Sequence, residues 1–178
     1  HNTINAVNSG SFQDDTSFST NQGGAFNFDG VDDYIEIGSP IPKATTEITI
    51  NVWFKATGVP SNNDTAGGCL FVGSSNIEHG PFLSYSWSTE KIVFGIKLNV
   101  TYNYSAGFTQ NVIHNACVTF NRPTLTCFKN GILVDTATQD SNVTYQGTLA
   151  NRIGEWGYSS YQRNFNGQIY SMQIYNRA

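Results

Sequence analysis

Four carboxylates fall within eight positions of the stretch GGAFNFDGVDDYIEIG: Asp29, Asp32, Asp33 and Glu36. Carboxylates gathered on a tight, glycine-containing turn are hard oxygen ligands, the donor type that calcium takes. Asp29, Asp32 and Asp33 are therefore the candidate metal ligands, with calcium as the cofactor. The same residues also suit a purely structural corner. Asp29-Gly30 and Asp32-Asp33 can make Asx-type turns in which each carboxylate accepts from nearby backbone N–H groups. Both readings stand at the level of sequence.

A second chemistry is carried by aromatic rings in polar loops. SYSWSTE supplies Tyr85 and Trp87 near a turn. GEWGYSSYQRN supplies Trp156, Tyr158 and Tyr161 beside Glu155, Arg163 and Asn164, and NVTYNYSAGF adds Tyr102 and Tyr104. A sugar ring has apolar C–H faces that stack on rigid aromatic side chains, while a few oriented polar groups bond its hydroxyls. A ring in a Gly/Ser/Asn-rich loop is less easily buried than one in a strand. Trp156, Tyr158, Tyr161, Trp87 and Tyr85 are thus the candidate ligand-binding residues. The competing expectation is that these rings close the ends of a large core.

Chemistry of bond cleavage finds little support. Glu36, Glu47, Glu78, Glu90 and Glu155 are isolated from one another. There is no Gly-x-Ser-x-Gly elbow, no cysteine paired with a base and no Gly-rich phosphate loop. His79 and His114 read as surface or packing residues. The three cysteines, Cys69, Cys117 and Cys127, lack zinc spacing. A four-residue loop, Asn121–Thr124, puts Cys117 and Cys127 on opposite faces of a hairpin, and an odd count leaves one thiol unpaired or intermolecular. The expectation is a protein that is not an enzyme.

Composition narrows the class further. Only 12% of the 178 residues are charged, against roughly 25% in ordinary soluble domains. The balance is Asn, Ser, Thr, Gly and 13% aromatics, which suits a secreted or assembled protein. A net charge of −4 without a basic cluster excludes nucleic acid as partner. Apolar runs of about five residues fall far short of the ~20 needed to cross a bilayer as a helix, so no membrane insertion is expected. Four N-x-Ser/Thr sequons, at Asn63, Asn99, Asn103 and Asn142, are what chance gives in so Asn- and Thr-rich a chain.

The elements that must position these groups are strands. Alternation of period two dominates and helical periodicity is nearly absent. EITINVWFK sends Ile48, Ile50, Val52 and Phe54 one way and Thr49, Asn51, Trp53 and Lys55 the other. KIVFGIK groups Ile92, Phe94 and Ile96. QIYSMQIYN groups Ile169, Ser171, Gln173 and Tyr175 against Tyr170, Met172 and Ile174. Further strands are expected at 25–29, 34–38, 69–73, 82–87, 116–120, 125–129, 132–137 and 152–155. The turns between them are NRPT, the Asn-Gly pair of KNGI and the long polar loop VPSNNDTAGG. Residues 1–22 read as an edge strand and a loop. The order predicts one all-β domain over 1–178, a two-sheet antiparallel β-sandwich or jelly roll.

Four segments in order strengthen this: Phe28-Asp29-Gly30-Val31-Asp32-Asp33-Tyr34; Ile48 through Lys55; Val118-Thr119-Phe120 with Leu125 through Gly131; and Phe165 through Ala178. With them the chain resembles the concanavalin A-like, laminin-G-like jelly-roll lectin domains over about Gly23 to Ala178. It is also similar to lectin-like modules of phage and viral structural proteins. The resemblance implies a non-catalytic, carbohydrate-binding adhesion module on an extracellular, cell or virion surface. The alternative is a structural or decoration subunit of a virion, fibre or filament, whose partners are neighbouring protein subunits or further copies of itself rather than a glycan. Related jelly rolls that bind structural calcium often add an Asp in the last strand, where this chain has Tyr170. A Trp at the position of Trp53 is usual, and a structural role under a third layer of loops is expected for it. A start at His1, without Met, points to a module of a longer protein.

Overall fold

The computed structural model describes residues 10–13, 17–20, 23–37, 46–59, 68–73, 80–97, 100–104, 107–143, 145, 151–158 and 161–178. Side chains are described throughout these segments except at 10–13, 97, 100–104, 157, 158, 161 and 162. Among the described residues there is no α-helix, and none that could cross a membrane as one.

The described residues form sixteen strands in chain order: β1 (Gly10–Gln13), β2 (Ser17–Ser19), β3 (Ala25–Asp29), β4 (Tyr34–Ile37), β5 (Glu47–Ala56), β6 (Gly68–Val72), β7 (Phe82–Ser86), β8 (Lys91–Lys97), β9 (Val100–Tyr104), β10 (His114–Asn121), β11 (Thr124–Lys129), β12 (Ile132–Thr138), β13 (Asn151–Ile153), β14 (Gly157–Tyr158), β15 (Tyr161–Gln162) and β16 (Asn166–Tyr175). They form two seven-stranded antiparallel sheets and one small hairpin. The first sheet runs β1-β4-β13-β6-β7-β8-β9 and the second β12-β11-β10-β5-β16-β3-β2; β14 and β15 pair with each other. The non-sequential order is that of a jelly-roll sandwich, as expected from the strand spacing.

Alternation explains the packing of the second sheet. On β5 the inward set Ile48, Ile50, Val52 and Phe54 is at most 1% exposed. It meets Ile92, Phe94 and Ile96 of β8 and Leu83 and Tyr85 of β7 from the first sheet in one core cluster. Apolar surface removed from water contributes about 25 cal/mol per Å2, so this shared core is the main force joining the sheets.

Two departures from simple alternation matter. The run QIYSMQIYN does not keep one phase. A β-bulge between Ile169 and Ser171 resets the register on β5, so Ile169, Met172 and Ile174 all pack toward the core while Ser171, Gln173 and Tyr175 oppose Trp53, Asn51 and Thr49. The expected grouping of Ile169 with Ser171 is thereby corrected; an extra residue switches the face. The N-terminal stretch supplies two edge strands, β1 in the first sheet and β2 in the second, instead of one.

Candidate functional site

The acidic corner joins β3 to β4. Gly30 takes φ +82°, a conformation glycine adopts freely, and lets the chain reverse. Asp29 Oδ1 accepts from Val31 N at 2.7 Å, and Asp33 Oδ2 accepts from Asp29 N at 2.8 Å. These are the Asx-type bonds foreseen for a plain turn. One oxygen from each of Asp29, Asp32 and Asp33 also lies within 4.8 Å of the others. That span fits oxygens ligating one calcium at about 2.4 Å. Asp33 is buried and the other two are exposed. The corner is tied to the segment before β16: Asn164, 1% exposed, donates its Nδ2 to Val31 O, and its buried Oδ1 has no partner among the described residues. Glu36 stands apart from the trio. It faces Arg152 at 3.7 Å, and Arg152 also pairs with Glu155 at 2.5 Å and covers the Tyr34 ring.

The rings expected at the rim lie elsewhere. Tyr85 is fully buried and donates to Phe108 O at 2.7 Å. Trp87 stacks on Phe165 and meets Tyr85 edge-on. Trp156 lies against Phe82 at 4.5 Å with Arg163 over its face. With no free ring face, none of the three can stack a sugar in this arrangement, and their expected place in a stacking platform is corrected to a place in the packing. Tyr85 lies on β7 itself, and Trp87 and Trp156 are held by Phe165 and Phe82 despite their polar loops. Tyr158 and Tyr161 are register partners in the β14–β15 hairpin, and their side chains lie outside the described residues. So do those of Tyr102 and Tyr104 on β9, and all of His79.

Trp156 closes a second, smaller cluster with Cys69, Val72 and Phe82, packed also by Val93. Every position of β6 and β7 is buried, so both faces of these strands are covered. Gly95 sits opposite Phe82, where a Cβ would run into the ring. The covering layer therefore lies outside the first sheet.

The outer face of the second sheet is different. β5 occupies its middle and alternates between buried and less buried positions along its length. Trp53, expected under a loop layer, is 44% exposed. Asn115 of β10 and Ser171 of β16 flank it in register. Asn115 Nδ2 donates to Asn51 Oδ1 at 2.7 Å, and Asn51 Nδ2 donates to Gln173 Oε1 at 2.9 Å. A second chain runs alongside: Tyr170 donates to Gln168 Oε1 at 2.8 Å, and Gln168 Nε2 to Asn27 Oδ1 at 2.9 Å. The signal for this face was present in the alternation of EITINVWFK, which put Trp53 among Thr49, Asn51 and Lys55 on the polar side.

The remaining reactive groups are structural. His114 is 4% exposed between Phe54 and Phe108, with Nε2 at 3.1 Å from Thr109 O. Burial lowers its pKa from the ordinary 6.5. All three thiols are free, and burial raises each pKa, that of Cys127 to about 12. Cys127 pairs in register with Val118 and Cys117 with Phe128, which sets the two thiols on opposite faces as expected; the turn is the two residues Arg122 and Pro123 rather than the four expected, and an even number keeps the same parity.

In structure the chain is similar to domain 4 of AbnA, an extracellular GH43 arabinanase of Geobacillus stearothermophilus solved with arabinotriose. The TM-score is 0.69 at 12% identity, covering 93% of this chain and 81% of that one. It is similar too to a botulinum neurotoxin type C chain whose cell entry depends on interaction with two ganglioside molecules (TM-score 0.68, 14% identity, 94% and 43% covered). The binding domain of Paraclostridial Mosquitocidal Protein 1 gives 0.67 at 11% identity, with 95% and 44% covered. The chain thus spans less than half the length of these two toxin chains. At such identities the likeness is one of fold. No curated protein matches the chain in sequence. The family model of the concanavalin A-like lectin/glucanases superfamily matches residues 29–178, starting at the acidic corner and running through the last strand, and the chain belongs to that superfamily.

Proposed function

We propose that this chain is a non-catalytic carbohydrate-binding module working on an extracellular, cell or virion surface. One observation carries the reading: the jelly roll coincides over 93% of the chain with a domain solved in complex with an oligosaccharide, arabinotriose. The toxin chain whose cell entry depends on gangliosides contains the same fold over 43% of its length and points the same way. The low charge adds support, because a neutral polar surface competes well for hydroxyl-rich ligands. The engagement of Glu155 and Glu36 with one shared arginine, Arg152, supports the non-catalytic part of the reading. At the acidic corner, Asp29, Asp32 and Asp33 would hold a calcium ion, with a role in holding the β3–β4 turn against Asn164.

A printed array of neutral and sialylated glycans, probed with the purified chain, tests the reading. Binding to a defined glycan set is expected, and binding to none would sink it.

A second reading has its own observation. The edge strand β12 exposes three consecutive apolar side chains, Ile132, Leu133 and Val134, at 70%, 55% and 39%. Open apolar edges invite pairing with another chain, which favours a structural subunit in contact with its neighbours. Sedimentation over a concentration series distinguishes it: a stable assembly without glycan binding would favour this second reading.

A further inference from the structure

Trp53 is the one tryptophan of three that keeps its indole in solvent: 44% exposed against 4% for Trp87 and 2% for Trp156. It stands on the middle strand of a seven-stranded sheet, with outward side chains of β10 and β16 on either side of it. The side chains around it are chosen alike. Asn51 and Lys55 neighbour it along β5, Asn115 and Ser171 across the sheet, and Gln173 lies diagonally. Charge on the outward positions of β5 is confined to its ends, Glu47 and Lys55, leaving a neutral centre.

The amides there are already in place. The row Asn115–Asn51–Gln173 passes hydrogen bonds one way, so Asn51 Oδ1 and Gln173 Oε1 are each filled by a neighbour. Among the described residues nothing takes the Gln173 Nε2 hydrogens, and Ser171 is exposed beside the indole. Side chains held by their neighbours lose little entropy when a ligand arrives. A flat indole bordered by fixed neutral donors matches one kind of ligand: a ring with an apolar C–H face and hydroxyls round its edge. An anionic ligand would find only Lys55, and an apolar protein partner would leave the amide donors unpaired.

We propose that the outer face of the second sheet around Trp53 is the carbohydrate site, with Trp53 as the stacking platform for a neutral sugar and Asn51, Gln173 and Ser171 bonding its hydroxyls. This rests on the carbohydrate-binding reading above and moves the site from the loop rim to the sheet face.

The test uses the full chain with arabinotriose and the strongest neutral array ligand as probes, titrated by calorimetry and tryptophan fluorescence. Wild type should bind with a blue shift, as the exposed indole is covered. Trp53→Ala should weaken binding roughly tenfold or more, the scale of losing one stacking platform. Trp53→Phe should restore part of it, and Gln173→Ala should give a smaller loss. An unchanged denaturation midpoint establishes that the variants are folded. If wild type binds and Trp53→Ala binds equally, the site is elsewhere while the carbohydrate reading survives. If wild type binds no glycan, both fall. If sedimentation shows a wild-type dimer that Trp53→Ala dissociates, the face belongs to a second copy and the proposal is overturned.

Discussion

The two outer faces of the sandwich each carry a tryptophan, and they treat it oppositely. On the first sheet Trp156 lies over Phe82, Cys69 and Val72, in a cluster separate from the main core. On the second sheet Trp53 has Asn115 and Ser171 as flanking residues and faces water. The first face pairs a buried ring with apolar strand positions, so covering it releases water from both. The second pairs its ring with amides that would lose hydration if covered, so nothing drives a lid onto it. Coverage is decided by the partner surface and not by the ring.

The largest effect expected from breaking this contrast is at Trp156. Trp156→Ala should cost about 3–5 kcal/mol, the usual range for emptying a packed aromatic site. Urea denaturation measures it, and a loss below about 1 kcal/mol would mean that the first face is not truly sealed. Next comes the acidic corner, which Asn164 ties to the segment following Trp156. If calcium sits there, calcium at a hundred times its dissociation constant should stabilise the chain by about 2.7 kcal/mol. Asp33→Asn should abolish the gain. A melting midpoint indifferent to both calcium and chelator would remove the ion.

A smaller effect is expected with pH. His114 lies on the inner side of β10, next in sequence to Asn115 of the open face, and burial lowers its pKa. The unfolded chain therefore takes up this proton first as pH falls. Stability is complete above the ordinary value of 6.5 and declines as pH drops from there toward the lowered folded value. His114→Gln should flatten that part of the curve in a series of melts. Smallest of all is the stability change for Trp53→Ala, within about 0.5 kcal/mol as for other exposed positions. A cost of several kcal/mol would show that Trp53 packs as Trp156 does.

Much of the architecture was legible because alternation is a local property. The inward residues of β5 and β8 were identifiable from spacing alone, since a strand must point successive side chains to opposite faces. The hairpin of β10 and β11 was legible from its turn residues, and the separation of Cys117 and Cys127 from the even parity of the connection, although the turn is two residues and not four. The bulge on β16 was not legible: Ile169 and Ile174 differ by an odd number, and only contact with β5 shows that both face inward. β9 was passed over because VTYNY reads as a polar loop until β8 pairs with it.

The candidate site was legible in part. Asp29, Asp32 and Asp33 were brought together by a turn of a few residues, which sequence encodes directly. The rings were not, because a loop's polarity says little about what lies beneath it. Trp87 reaches Phe165 and Trp156 reaches Phe82 across 78 and 74 positions of chain, by subtraction of the residue numbers. By itself the sequence determined most strand positions, the inward faces of β5 and β8, the acidic corner and the low charge, all consequences of neighbours a few residues apart. The tertiary structure alone decided which outer face is covered and which indole meets solvent. That choice depends on the apolar or polar character of surfaces built by strands distant in the chain, and no local pattern records it.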